Sequence, residues 1–381
     1  MNHKIPLSEA DITKNEIKEV LEVLRSKRLS LGPKFTAFER IVADFVGVKY
    51  AIAVNSGTSA LHLIIRALGI HEGDEVITSP FSFIASANCM LFERAKPVFV
   101  DIRPDTININ PERIEAAITK RTKALLVPDM FSHPAEWDEL QAIAKKYKLF
   151  LIEDSAEALG SEYKGKKCGS FGDVSIFAFS PNKQVTTGEG GMIMTNNEDI
   201  ANLCRSMASQ GRKIKNGKWL EHVRLGYNYR LNEMSSAVGL SQMRRIKEII
   251  KKRQSIAKLY AKKLAGIENI ELPYVAEYAN ISWYLYVIKL TGQFAKKRDV
   301  VMQKLLEQGV ECRDYFQSLH LQPLYKELFG YKRGDFPATE SASDRGIALP
   351  FFNNLTETRM NYVVRTLKDV LSVFEKENKI Q

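Results

Sequence analysis

From residue 50 the chain alternates short apolar runs with amphipathic stretches. YAIAV (50–54), EVITS (75–79), KPVFV (96–100), ALLVP (124–128) and LFLIE (149–153) are short and nearly continuous in apolar residues. That pattern predicts strands buried on both faces. Helical spacing between them predicts helices from Thr58, from the residues after 79 through Met90, over PERIEAAI (111–118) and over EWDELQAIAKKY (136–147). The alternation stops at DVSIFAF (173–179) and GMIMT (191–195), where a short polar loop replaces the helix, so the sheet is expected to be mixed. A long helical pattern then runs from Asn232 to about Leu264. After it come a strand, WYLYVIKL (283–290), a helix over 295–308 and a C-terminal helix over 356–376. The expected architecture is α/β: a mostly parallel mixed sheet sandwiched by helices over 1–245, with the N-terminal helical segment included, and a smaller α+β domain over 246–381.

A length of 381 residues suits one large and one small domain. No apolar run is long enough to span a bilayer, and MNHKIPLSEADITKNE lacks the apolar core of a signal peptide, so a cytoplasmic protein is expected. The formal charge of +10 raises nucleic acid as a partner. Much of the excess, however, lies in RRIKEIIKKRQSIAKLYAKKLAG, where Ile246, Ile249, Ile250, Ile256, Leu259 and Leu264 recur at helical spacing. That is the solvated face of an amphipathic helix, and neither a nucleic-acid nor a membrane partner is expected. Cys89, Cys168, Cys204 and Cys312 form no CxxC pair, and the six histidines form no HxxxH pair, so buried thiols and no metal are expected.

Three constellations carry candidate chemistry. In Asn55-Ser56-Gly57-Thr58-Ser59-Ala60-Leu61 a strand runs straight into a helix through small hydroxylated residues. Free N–H groups at such a helix start suit a phosphate, although a plain cap by Ser56 explains the pattern equally well. Leu151-Ile152-Glu153-Asp154 places two acids at the carboxyl end of an apolar strand, where open α/β sheets bind ligands; exposure at the strand end is the alternative. In Phe179-Ser180-Pro181-Asn182-Lys183-Gln184 a single lysine stands in a glycine-bearing loop between two apolar strands. Desolvated there it could form a Schiff base; otherwise it is a surface lysine. Together the three describe a pyridoxal 5′-phosphate (PLP) site: a phosphate cup, a carboxylate for the pyridine nitrogen and a lysine.

The stretches NSGTSALHL, GDEVITSPFSFIASAN, KPVFVDI, LGYNYRLNEMSSAVG, HLQPLY and above all the block from 151 to 195 resemble the sugar aminotransferases of the DegT/DnrJ/EryC1/StrS family over nearly the whole chain. The resemblance implies the PLP-dependent transferase fold (fold type I). It implies that Lys183 holds PLP, Asp154 pairs with the pyridinium nitrogen, Gly57 and Thr58 bind the phosphate, and Phe83 stacks on the ring. It further implies that Asn228 reaches the phosphate in the partner's site of a homodimer with shared active sites. Glu189, Tyr315 and His320 fall on the expected substrate side. The implied reaction moves an amino group from an amino acid donor, L-glutamate, to a nucleotide-linked keto sugar. Three departures stand out. Ala178 occupies the place of a phosphate-binding serine, with Ser180 two residues on. Glu157 stands where relatives carry Gln or His near the cofactor's phenolic oxygen. Asp129-Met130-Phe131-Ser132 replaces HLYG. A sugar dehydratase of the same family would carry His in place of Lys183, and a non-catalytic regulatory protein would have no need of the Asp154 and Lys183 pair.

Overall fold

A computed structural model of the chain describes residues 5–213 and 221–380, with side chains through 372. The chain opens with α1 (Lys14–Ser26) and α2 (Pro33–Val46). It then alternates β1 (Tyr50–Val54), α3 (Gly57–Ala67), β2 (Glu75–Thr78), α4 (Ala85–Leu91), β3 (Lys96–Phe99), α5 (Ile114–Ala117), β4 (Thr122–Pro128), α6 (Trp137–Tyr147) and β5 (Phe150–Asp154). Two short strands, β6 (Glu162–Tyr163) and β7 (Lys166–Lys167), precede β8 (Val174–Ala178) and β9 (Gly191–Thr195). Next come α7 (Glu198–Ala208), α8 (Glu233–Arg244), α9 (Ile246–Leu264), β10 (Ile270–Glu271), β11 (Ala279–Asn280) and β12 (Tyr286–Leu290). The chain closes with α10 (Arg298–Glu307), α11 (Pro323–Phe329), α12 (Pro337–Arg345), β13 (Gly346–Leu349) and α13 (Glu357–Ile380).

The principal sheet has seven strands in the order β1-β9-β8-β5-β4-β2-β3. Its neighbours pair in parallel from β8 to β3, whereas β9 runs antiparallel to both β1 and β8. One reversed strand therefore makes the sheet mixed, as the short loop between 179 and 191 predicts. The apolar runs bury on both faces. Ile52, Val76, Leu126, Ile152 and Ile193 join one helix-covered core, and Ile77, Leu125, Val127 and Leu151 join another. The carboxyl ends of β1, β4, β5 and β8 and the amino end of β9 share one edge. A second sheet, β10-β12-β13, packs with α9, α10 and α13 around Tyr260, Ile288, Ile347 and Leu367. No helix among the described residues is long and apolar enough to cross a membrane.

Several expectations need correction. The helix predicted from Asn232 to Leu264 is two helices broken at Arg245, which sits at φ −114°, ψ 17°. Arg245 reaches back to Asp11 at 2.8 Å and to Glu16 at 3.4 Å, so tertiary ion pairs fix the bend. The strand predicted from 283 starts at Tyr286, because Trp283 takes φ +58° and leaves the extended region. PERIEAAI holds only a 3₁₀ turn, Pro111–Arg113, and the four residues of α5. The helix expected over 295–308 begins at Arg298 after a separate turn. All four cysteines are buried and free.

The start of α2 depends on a distant acid. Gly32 precedes Pro33 and offers no side-chain cap. The buried Glu233 carboxylate, from the first turn of α8, accepts N–H groups of Gly32 (2.8 Å), Lys34 (3.0 Å) and Phe35 (2.8 Å). It thus satisfies orphan donors and opposes the helix dipole at once. A Cβ at Gly32 would stand 2.6 Å from that carboxylate. Glu233→Ala should lower stability by about 2–3 kcal/mol, since it strands buried donors of charge-assisted bonds. Urea melts check this, and a loss below about 0.5 kcal/mol, the scale of an ordinary surface substitution, would contradict the capping role.

Candidate active site

The carboxyl edge of the principal sheet opens into a cavity of about 500 Å³. It is lined by Gly57, Thr58, Phe83, Asp154, Glu157, Ser180, Lys183, Glu189 and Tyr315 among others. The sequence reading thus names nine residues that the fold brings to one place. Two others lie elsewhere. Asn228 is exposed and outside the lining, on a segment bridged to Ser209. His320 is fully buried, with Nε2 3.0 Å from Glu340 Oε1 and its ring 4.8 Å from that of Phe336. It packs inside the structure and does not line the cavity, because its hydrogen bond and aromatic neighbours turn it inward.

At the helix start, Ser56 accepts the Ser59 N–H at 3.0 Å and caps α3. The cap leaves the N–H groups of Gly57 and Thr58, which have no intrahelical acceptor, at the cavity wall. The cap by Ser56 is thus observed, and it leaves room for an anion at the same turn. Glycine is required at two points here. A Cβ on Gly57 would meet Ala178 Cβ at 2.9 Å, and one on Gly191 would meet the Ser56 carbonyl oxygen at 2.4 Å. Ala178 and Ser180 both line the cavity, but Ser180 Oγ already donates to Asn182 Oδ1 at 2.9 Å.

Asp154 ends β5 and is buried at the cavity wall. Oδ2 accepts from Ser86 Oγ at 2.7 Å and Oδ1 from the Ala156 N–H at 3.2 Å. Burial pushes its carboxyl up, against the pull of those donors and of Lys183. No cation stands within hydrogen-bonding distance of it among the described residues, so a carboxylate faces the cavity with capacity to spare. Across from it the Lys183 side chain is only 10% exposed, and its Nζ lies 3.4 Å from Glu157 Oε1. Burial lowers the amine's pKa, and Glu157 and Asp154 partly restore it. Glu157 is raised by burial in turn, while Lys183 and the Phe131 N–H at 3.0 Å favour its anion. The lysine is thus neither on the surface nor in a plain hairpin, and Glu153 and Asp154 are not exposed at a strand end.

Sequence reasoning missed Tyr284. The Lys183 amine lies 3.8 Å from the centroid of its ring, and its hydroxyl accepts from Asn182 Nδ2 at 2.7 Å. WYLYVIKL reads as uniform strand. The residue before it, Trp283, takes a left-handed φ of +58°, and the Tyr284 N–H donates to Ser132 Oγ at 2.7 Å, so the ring departs from a regular strand. Phe83 is 58% exposed at the cavity and 6.2 Å from Phe316, also a wall residue. A helix start able to take an anion, a buried carboxylate without a cation and a desolvated amine meet the demands of PLP, whose phosphate, pyridine nitrogen and aldehyde carbon need those three groups.

Behind Asp154 lies a second acid group. Ser155 Oγ is 2.6 Å from Asp129 Oδ2 and 2.8 Å from Glu153 Oε1. The hydroxyl has one hydrogen, so it can donate to only one of them, and the other contact needs a proton on a carboxyl. Glu153 accepts N–H groups of Gly169, Phe171 and Gly172, whereas Asp129 accepts those of Ala135 and Trp137. The proton therefore falls to Asp129, whose carboxyl burial and the neighbouring Glu153 push well up. Ligand-type atoms of Asp129, Glu153 and Cys168 lie within 4.8 Å of one another, yet all four carboxylate oxygens are already engaged by these donors.

The model of the DegT/DnrJ/EryC1/StrS aminotransferase family matches residues 10–368. Spore coat polysaccharide biosynthesis protein SpsC of Bacillus subtilis is 37% identical over 383 residues, covering 97% of this chain and 98% of that protein. GDP-perosamine synthase of Caulobacter vibrioides is 38% identical over 359 residues, 94% of this chain and 95% of that one. Among solved structures, Helicobacter pylori PseC, an aminotransferase involved in the biosynthesis of pseudoaminic acid, superposes with a TM-score of 0.93 at 31% identity, covering 97% of this chain and 100% of that one.

A raised folded-state pKa gives stability that is complete below the ordinary carboxylate range and lost as pH rises through the raised value. Asp129 has such a shift. Asp129→Asn copies the protonated acid and is neutral at every pH, so it should fold and lose less stability than wild type as pH rises above the ordinary carboxylate range. Parallel profiles in urea melts over that rise would place the proton elsewhere.

Proposed function

The chain belongs to the DegT/DnrJ/EryC1/StrS aminotransferase family, whose cofactor is PLP, and on that premise we propose that it moves an amino group from L-glutamate to a nucleotide-linked keto sugar. The product is an amino sugar for polysaccharide assembly, made in the cytoplasm by a homodimer. The observation that supports this reading is the meeting of the α3 start, Asp154 and Lys183 in one cavity.

PLP, when bound, supplies a ring that accepts the electron pair released as a C–H bond beside nitrogen breaks. The chain's own residues do the rest. The N–H groups of Gly57 and Thr58 hold the phosphate, and Phe83 covers the ring. Asp154 holds the proton on the pyridine nitrogen, since a buried carboxylate without a cation is best satisfied by one. Lys183 would hold the cofactor through its amine. Freed by an amino donor, its amine, with pKa lowered by burial, would carry the proton between the two carbons flanking nitrogen. The donor would leave as its 2-oxo acid, and a keto sugar would take up the amino group the donor gave by the same proton movements in reverse. Glu157 lies close enough to Lys183 to favour its charged form, and so sets part of the pH dependence. Ser180, Glu189 and Tyr315 line the same cavity and are assigned to cofactor and substrate contacts there.

Two experiments test the reading. Borohydride reduction of the yellow protein should fix the cofactor to the peptide holding Lys183, and that protein with L-glutamate should aminate a member of a nucleotide–keto-sugar panel, read by mass spectrometry. Labelling at another lysine removes the Lys183 assignment, and amination of free keto acids alone removes the sugar acceptor.

The shared dimer site is tested by mixing variants. Asn228 is exposed and outside its own chain's cavity, which suits a role in the partner's site. Asn228→Asp should weaken PLP binding by charge repulsion, and Lys183→Ala should abolish turnover. If Asn228 acts across the interface, a mixed dimer carries one site with both defects and one with neither. Activity then returns to about half of wild type per mixed dimer. No recovery, with subunit exchange confirmed by tagged pull-down, defeats the shared site.

A further inference from the structure

Arg253, on α9, is 3% exposed, yet no carboxylate lies within ion-pair distance of its guanidinium among the described residues. Its Nε has no hydrogen-bond partner among them either. A buried charge in this state is costly, so what holds it is informative. Three backbone carbonyls do so. Nη1 donates to Trp283 at 3.0 Å and to Tyr284 at 3.2 Å, and Nη2 donates to Lys183 at 3.3 Å. These carbonyls come from two segments that no strand pairing joins. Lys183 lies in the loop between β8 and β9 of the principal sheet, whereas Trp283 and Tyr284 lead into β12 of the other sheet. Trp283 takes the left-handed φ of +58°, uncommon for a bulky residue, and its carbonyl converges with that of Tyr284 on the same nitrogen.

We propose that Arg253 is a positioning residue for the Lys183 amine: one guanidinium ties the main chains of Lys183 and Tyr284 to a single point and so holds the amine against the Tyr284 ring. The proposal rests on Lys183 being the amine of the site. The Lys183 N–H is fixed separately by the Ser180 carbonyl at 3.1 Å, so Arg253 completes the hold on that residue's backbone. The 3.8 Å separation between Nζ and the Tyr284 ring is the geometry at stake. A planar fork reaches carbonyls in two directions, and a lysine ammonium at the same place keeps the charge but not both reaches.

A cation against an aromatic face favours the charged amine, so losing that contact should move the amine's titration midpoint down. The test uses full-length protein saturated with pyridoxamine phosphate, which leaves the Lys183 amine unbonded. The pH dependence of Lys183 methylation by formaldehyde and cyanoborohydride is read by peptide mass spectrometry. Arg253→Lys and Tyr284→Leu should each lower the midpoint by about half a pH unit. The double variant should fall no further than the larger single one, because both changes remove one contact. An Arg253→Lys midpoint equal to wild type, even with a lowered melting temperature, overturns the proposal, and so do shifts that add. An unmoved midpoint in Tyr284→Leu overturns it without any change at Arg253. Borohydride fixation of PLP on the wild-type protein is a separate measurement, so failure of the Lys183 assignment and failure of this proposal are distinct results.

Discussion

An amine withdrawn from water loses its charge unless acids stand beside it, and the cavity is built around that balance. Burial lowers the pKa of Lys183, while Glu157 at 3.4 Å and the nearby Asp154 restore part of it. A lysine on the surface would stay charged and be a poor nucleophile at neutral pH. A lysine buried without acids would be neutral at all times and could not act as an acid in turn. The intermediate setting needs three segments brought together: the end of β5 with the residues just after it, the loop after β8, and the approach to β12.

The sheet supplies that convergence through one reversed strand. Because β9 runs antiparallel between β1 and β8, its first residue, Gly191, lies beside the end of β1 and the start of α3. The loop carrying Lys183 must return along the carboxyl edge to begin β9, so the lysine is delivered to the same edge as Asp154. Glycine at 191 allows the approach, since any side chain would strike the Ser56 carbonyl. The anion-ready helix start and the amine are therefore placed by one topological feature, at the strand ends where open α/β sheets bind ligands.

The strands were legible because each is a short run buried on both faces, and nearly every apolar run predicts a strand within a residue or two of its observed bounds. Lys183, Asp154 and the Gly57 turn were legible for a different reason: strand, loop and helix junctions leave a local composition. What stayed hidden depends on partners far away in sequence. The break at Arg245 follows from Asp11 and Glu16, more than two hundred residues earlier. The cap on α2 comes from Glu233. Tyr284 reads as strand, and its position beside the lysine depends on a backbone angle at Trp283 that no local pattern reveals. His320 read as a substrate contact from its motif alone, and the fold turns it toward Glu340.

The edge of β4 and β5 is richer in acids than in cations, and this excess bears on what the cavity binds. Asp129, Glu153, Asp154 and Glu157 are all buried there, and among the described residues Lys183 is the cation lining the cavity with Asp129, Asp154 and Glu157. The Asp129 proton removes one negative charge, and the backbone N–H groups around Glu153 absorb a second. Lys183 answers Glu157. Asp154 is then left with a hydroxyl and one amide, too little for a carboxylate out of water. A positively charged ring nitrogen would complete the balance, so on the proposed reading this deficit would favour the protonated form of a bound cofactor. The cost of burying Asp154 and its proposed pairing with the cofactor would in this sense share one electrostatic origin, located at the end of a single strand.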